Sequence, residues 1–65
     1  MPKYYVLYKT KSNNVYQTHY FANAESEART QFMVERPQDE LLLVRKGEPF
    51  KKADIKKQKD KLKYA

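Results

Sequence analysis

The alternation of hydrophobic and polar positions changes along the chain, and each change of pattern predicts a new element. Residues 3–10 (KYYVLYKT) and 15–21 (VYQTHYF) are rich in aromatic and β-branched side chains, which favour strands. The segment between them, Lys11-Ser12-Asn13-Asn14, favours a turn, because Ser and Asn bond to nearby backbone and Asn tolerates a left-handed conformation. The pattern therefore predicts a β-hairpin.

The register of this hairpin depends on the length of its loop. A two-residue loop at Asn13-Asn14 pairs Val6 with Phe21, whereas a three-residue loop shifts every pair. The amino-acid sequence leaves the two registers open.

A helix is predicted after the second strand, with Asn23 as its N-cap. The side chain of Asn accepts a hydrogen bond from the first turn of a helix. Glu25 and Glu27 would lie in that turn, where the helix dipole favours acidic groups. Pro37 cannot continue a helix, so we expect it to end one or two residues earlier.

Three apolar residues of this helix, Ala24, Ala28 and Phe32, recur at a spacing of four and place one face toward the sheet. We expect the core to form between that face and the strands. Its expected members are Val6 or Leu7, Phe21, Ala28, Phe32 and part of Leu41–Val44.

A third strand is predicted over residues 40–46 (ELLLVRK). Its four consecutive apolar residues, Leu41–Val44, indicate a strand that is covered on both faces. Gly47 and Pro49 follow closely and are expected to end it.

The last segment, residues 51–65, has strong helix formers and no helix breaker. Ile55, Leu62 and Ala65 lie on one narrow apolar stripe, with Lys59 partly filling the gap. So narrow a stripe leaves two alternatives open. The segment is either an amphipathic helix docked on the sheet or a fraying helix that becomes ordered when it binds.

Together these elements predict an α+β fold, with a β-β-α-β domain over residues 1–50 and a Lys-rich helical tail over residues 51–65. The first strand is the most apolar, so we place it at the centre of a three-stranded sheet with the order 2-1-3. The third strand then runs antiparallel to the first and parallel to the second, and the first helix covers one face of the sheet.

Charge divides the chain at the same boundary. The 65 residues carry a net charge of +6. Residues 1–50 contain seven basic and six acidic side chains, whereas residues 51–65 contain seven lysines and two aspartates, a net charge of +5. Eleven of the 14 basic residues are lysines, which meet phosphates as hydrated point charges and not through a rigid fork. This composition favours sequence-independent attraction to nucleic acid.

Composition also excludes several classes of site. The chain has no Cys, one His and one Gly, so it can build no disulfide, thiolate metal site, His cluster or glycine-rich phosphate loop. His19 has no nucleophile or carboxylate beside it in sequence, which favours a strand histidine over a catalytic base. We therefore expect a non-enzymatic protein without cofactor or metal. We also expect no membrane span, no secretory signal and a cytoplasmic location.

The hairpin carries five of the six tyrosines, on both faces in either register. Because the first helix can cover only one face, we expect Tyr5, Tyr16 and Tyr20 to form an exposed aromatic surface. Three roles for that surface stay open: stacking of unpaired bases, contact with a protein, and ordinary strand structure.

The lysine-rich segment gives the strongest functional signal. Clustered lysines neutralise phosphates and release counterions, so affinity for nucleic acid would depend on salt. A solvated tail and an anionic membrane surface are the alternatives, although the narrow stripe offers little apolar area to a membrane. The residues expected to bind nucleic acid or an acidic partner are Lys51, Lys52, Lys56, Lys57, Lys59, Lys61, Lys63, Arg45 and Lys46.

Two functions follow from these features. The first is a small nucleic-acid-binding protein, for RNA or DNA, that uses the tail on phosphates and the tyrosine surface beside it. The second is a protein-interaction module that docks its sheet face, or the edge strand at residues 15–21, on a larger complex, an acidic protein surface or a second copy.

Overall fold

The computed structural model describes residues 1–64, with side chains up to Leu62. Within that range the strands pair as one antiparallel sheet in the order β2-β1-β3, so the predicted α+β fold and strand order are confirmed. Ala65, the last residue of the predicted stripe, lies outside the described residues. The elements are β1 (Lys3–Lys9), β2 (Val15–Phe21), α1 (Glu25–Glu35), β3 (Glu40–Lys46) and α2 (Lys52–Tyr64).

The hairpin turn fixes the register that the sequence leaves open. The N–H of Asn13 donates to the Thr10 carbonyl at 3.0 Å, and the N–H of Thr10 donates to the Asn14 carbonyl at 2.9 Å. Asn13 has a φ of 63°, a left-handed conformation that Asn adopts more readily than most residues. Residues 11–13 therefore form a three-residue loop, a turn followed by a left-handed residue.

This loop places Phe21 outside the core. Val6 pairs with Thr18, and Phe21 pairs with Lys3 at the open end of the hairpin. Relative to a two-residue loop, the pairing moves Phe21 to the opposite face of the sheet. Phe21 is 54% exposed, so its prediction as a core residue is wrong.

The first face of the sheet packs against α1. Val6, Tyr8, Tyr20 and Phe32 form one cluster of buried side chains there, and Tyr4, Ala22 and Ala28 form another. Ala28 and Phe32 are buried as predicted, whereas Ala24 is exposed at the start of the helix. Two of the three residues predicted on this face of α1 are therefore buried against the sheet.

The start of α1 differs from the prediction. The N-cap is Ala24, which has extended backbone and makes no side-chain capping hydrogen bond. Asn23 lies one residue earlier, and its backbone N–H donates to the Glu27 carboxylate at 3.4 Å. A carboxylate in the first turn, rather than the Asn23 side chain, thus satisfies the backbone at this end. The helix ends at Glu35, as expected before Pro37.

The second face of the sheet packs against α2. Leu7, Val15 and Phe50 are buried there, and Tyr5, Leu42, Ile55 and Leu62 pack around them. The N–H of Phe50 donates to the Gln17 side-chain oxygen at 2.6 Å, which ties the connection between β3 and α2 to β2. The residues 52–62 of α2 are therefore docked on the sheet, and we call the group around Phe50 the second-face cluster.

A β-bulge lets neighbouring side chains of β3 pack on both faces of the sheet. Leu7 pairs with Leu43 and Tyr8 pairs with Leu41, which leaves Leu42 as the extra residue. Leu41 packs toward α1 and Leu42 toward the second-face cluster, in agreement with a strand covered on both faces. Gly47 has a φ of 86°, a left-handed conformation suited to Gly, just after the strand ends.

A pair of phenylalanine substitutions tests this packing. We expect Phe50→Ala to lower the free energy of unfolding by about 3–5 kcal/mol, because Phe50 is only 7% exposed and its loss leaves a cavity. Phe21→Ala, the matched control, should change it by less than about 1 kcal/mol because Phe21 is at the surface. Urea unfolding followed by circular dichroism measures both. Equal losses for the two variants would contradict the assigned register.

The hydroxyl of Tyr20 gives a second test, by pH. It is buried and makes no hydrogen bond of standard geometry with a described residue. Burial raises the pKa of Tyr20 above its ordinary value of 10.0, and the nearby Glu35 carboxylate raises it further, although Arg36 opposes the shift. The folded state thus favours the protonated phenol. The Tyr20 hydroxyl contributes fully to stability at pH values below its pKa in the unfolded chain. This contribution is lost as pH rises through its pKa in the folded protein.

We therefore expect the free energy of unfolding to fall less in Tyr20→Phe than in the wild type as pH rises from about 9 to about 11. Near neutral pH the same substitution should change stability by no more than about 1 kcal/mol, because the hydroxyl has no partner to lose. Urea unfolding across the pH series measures this, with exposed Tyr16→Phe as control. An identical alkaline loss in Tyr20→Phe and the wild type would contradict the assignment.

Candidate nucleic-acid interface

An aromatic patch lies on the second face of the sheet, at the open end of the hairpin. It consists of Tyr5 from β1 and His19 and Phe21 from β2, with Lys3 beside them. Tyr5 pairs with His19 and Lys3 pairs with Phe21. Side chains two residues apart on a strand share a face, so the register brings all four together.

The three rings of the aromatic patch contact one another in turn. The Tyr5 and His19 ring centroids lie 6.0 Å apart at an interplanar angle of 53°, and those of His19 and Phe21 lie 5.8 Å apart at 85°. His19 and Phe21 are exposed, whereas Tyr5 is half-buried because it also packs against the second-face cluster. The patch is therefore an open aromatic surface with one ring anchored in the core.

The ammonium group of Lys3 lies over this surface. Its Nζ is 5.2 Å from the Tyr5 ring centroid and 5.8 Å from the Phe21 ring centroid, both within the range of cation–π contacts. Such a contact contributes only about 0.5–1 kcal/mol at an exposed site. An incoming ligand can therefore displace the ammonium from the rings and still use its charge.

Arg45 connects the aromatic patch to α2. It pairs with Tyr5 across β1 and β3. Its guanidinium carbon lies 5.1 Å from the Phe50 ring centroid, and its Nη1 lies 3.8 Å from the Asp54 carboxylate. Because both partners of this long ion pair are partly exposed, it stabilises the fold little. The Arg45 side chain remains 40% exposed.

A cleft of about 500 Å³ lies where β3 leads into α2, lined by Arg45, Lys46, Glu48, Lys51 and Asp54. Three of these side chains are basic and two are acidic. Asp54 accepts a hydrogen bond from the Lys51 N–H at 3.2 Å, which caps the first turn of α2. One of the two carboxylates is thus occupied with structural bonds, and the cleft retains a net positive charge.

The α2 helix displays its lysines to solvent. Ile55, Leu62 and the half-buried Gln58 face the sheet. Gln58, not Lys59, fills the gap in the stripe, because Lys59 is exposed. None of the exposed lysines forms an ion pair with a described carboxylate. The exposed lysines with described side chains are Lys52, Lys56, Lys57, Lys59 and Lys61; the side chain of Lys63 lies outside the description.

The three tyrosines expected at one aromatic surface lie in different places. Tyr20 is 6% exposed and belongs to the core beneath α1, so it adds nothing to an exposed surface. Tyr16 is 51% exposed, but it lies on the α1 side of the sheet beside Tyr8, at a ring distance of 6.2 Å. Of these three, Tyr5 alone shares a face with α2.

His19, Phe21 and Lys3 were not among the predicted binding residues. Period-2 alternation from Tyr5 places Lys3 on the same face, and that signal was present in the sequence. The two residues of β2 could be assigned only with the hairpin register, which the three-residue loop determines. Arg45, by contrast, lies beside the patch, and both Arg45 and Lys46 line the cleft. Their role in binding stays a prediction.

Comparisons with protein-family models, curated proteins and solved structures give no significant match. Neither of the helices in residues 1–64 combines the length and apolarity that crossing a bilayer requires. In the same part of the chain, no three carboxylate or imidazole groups converge as ligands for a metal ion.

Proposed function

We propose that the protein is a small non-enzymatic nucleic-acid-binding module with little sequence preference. The lysines of α2 contact phosphates, and the aromatic patch supplies an adjoining surface for bases. A cytoplasmic location is part of this proposal, since nucleic acid is the partner.

The orientation of α2 carries the proposal. A narrow apolar stripe of α2, Ile55 and Leu62, packs against the sheet. The exposed lysines of α2 are therefore directed to solvent. They lie on the same side of the sheet as the aromatic patch and Arg45. Lysines attract phosphates with a salt-dependent affinity, and exposed rings attract nucleobases. Both components of a nucleic-acid site thus occur on one side of the molecule.

The chemistry of the side chains supports weak sequence preference and no catalysis. Bases are read chiefly by bidentate Arg, Asn or Gln side chains, whereas lysines on phosphates carry no sequence information. His19 contacts the rings of Tyr5 and Phe21, and no described hydroxyl or carboxylate is hydrogen-bonded to it. It therefore lacks the partners of a general base.

Salt dependence tests the role of α2. The double variant Lys56→Gln/Lys57→Gln should bind labelled oligonucleotides more weakly than the wild type. It should also make the slope of log affinity against log salt less steep. The slope should change by about 0.7 for each lysine that contacts a single strand, and by about 0.9 for each that contacts a duplex. Fluorescence anisotropy with nuclease-treated protein, between about 50 and about 200 mM salt, measures both quantities.

The matched control is Arg29→Glu on α1, which lowers the net charge by the same amount on the opposite side of the sheet. Its salt slope should equal that of the wild type. Equal losses in both variants would show that only overall charge matters. Absence of binding to any oligonucleotide at low salt would overturn the proposed function.

A protein-interaction module is the second candidate, and two uncovered features favour it. β2 forms one edge of the sheet, and an edge strand accepts a further strand through backbone hydrogen bonds. Met33 and Val34 are exposed on the outward side of α1. These features suit a second copy of the chain or a larger protein complex with an acidic surface near α2.

Light scattering after size-exclusion chromatography of nuclease-treated protein tests the self-association form of this candidate. A dimer that Val34→Lys converts to a monomer would support it. A wild type that stays monomeric over a range of concentrations would count against pairing with a second copy.

A further inference from the structure

We infer that the nucleic acid bound at this site is single-stranded and that its unpaired bases stack on the aromatic patch. This inference rests on the proposed function and specifies its substrate class. It depends on ring geometry, exposure and the arrangement of charge around Tyr5, His19 and Phe21.

The exposure of the rings selects for unpaired bases. Phe21 and His19 present ring surface directly to solvent. In a duplex the faces of the bases are stacked on their neighbours, and only the base edges are accessible in the grooves. A ring on a protein surface therefore stacks on a base whose face has been freed, as in single-strand recognition.

The spacing of the rings also favours unpaired bases. Neighbouring centroids lie 5.8 and 6.0 Å apart, further than the ~3.4 Å between successive nucleotides along one strand of a duplex. The interplanar angles of 53° and 85° also differ from the parallel arrangement of stacked bases. Two consecutive bases that rest on neighbouring rings must therefore be unstacked from each other.

Basic groups provide a path for the phosphates across the sheet. Lys3 lies beside the Tyr5 and Phe21 rings, and Arg45 follows on β3, next to Tyr5. The cleft with Lys46 and Lys51 continues from Arg45 toward α2. A flexible strand can cross from β2 to β3 with bases on the rings and its backbone over these cations, a course that a stiff duplex cannot follow.

Phe21→Ala is the decisive variant, because its exposure makes it dispensable for folding. The probe is a labelled single-stranded oligonucleotide of about 12 nucleotides, compared with the blunt duplex of the same sequence. We expect the wild type to bind the single strand at least about 10-fold more tightly. Phe21→Ala should weaken single-strand binding by about 5- to 150-fold, the range for loss of one stacked base, and should weaken duplex binding much less.

Two further variants separate stacking from other effects. Tyr16→Ala removes an equally exposed aromatic side chain from the opposite face and should bind the single strand like the wild type. Phe21→Leu keeps apolar bulk without a π surface and should lose most of the affinity that Phe21→Ala loses, whereas Phe21→Tyr should retain it. Circular dichroism confirms that each variant is folded.

The outcomes distinguish this inference from the proposed function. Equal affinity for single strand and duplex, with no effect of Phe21→Ala but a flattened salt slope in Lys56→Gln/Lys57→Gln, would overturn the inference and leave the proposed function standing. A preference for duplex would also overturn it. No binding of either probe at low salt would overturn both.

Discussion

The side chains of β1 alternate between two separate apolar layers, and the positions of the other elements follow from that constraint. Val6 points to one face and Leu7 to the other, and neither is exposed at all. Each layer is thin, because a chain of this length has little apolar surface to bury. α1 covers one layer and α2 covers the other, so both helices are needed to exclude water from the side chains of the central strand. The candidate binding surface is what remains of the second face once α2 is in place.

Much of the fold could be predicted, because its signals are local. Aromatic and β-branched side chains located β1 and β2, Pro37 located the end of α1, and four adjacent apolar residues in β3 indicated two covered faces. The hairpin register could not be predicted, because the choice of loop depends on Asn13 adopting a left-handed conformation that Asn14 could equally have adopted. That single choice removed Phe21 from the core. It also explains why His19 and Phe21 of the candidate site could not be named from the sequence, whereas Tyr5, Arg45 and Lys46 could.

In the proposed function, the α2 helix has two roles that conflict physically. Closing the second layer requires apolar residues, and the lysines leave room for few. Lys52 and Lys56 lie four residues apart, as do Lys57 and Lys61, and like charges at that spacing each cost a helix about 0.2–0.5 kcal/mol. A polyanion along the helix would relieve this repulsion. If the protein binds nucleic acid as proposed, binding and the stability of α2 are linked, and each strengthens the other.

The hydrogen bond from Phe50 to Gln17 joins residues that are 33 positions apart in the chain. Closing so long a loop costs entropy, so this bond depends on the hairpin, α1 and β3, which hold its two ends together. The closure of the second face is therefore a long-range contact, whereas the hairpin on which it depends is local.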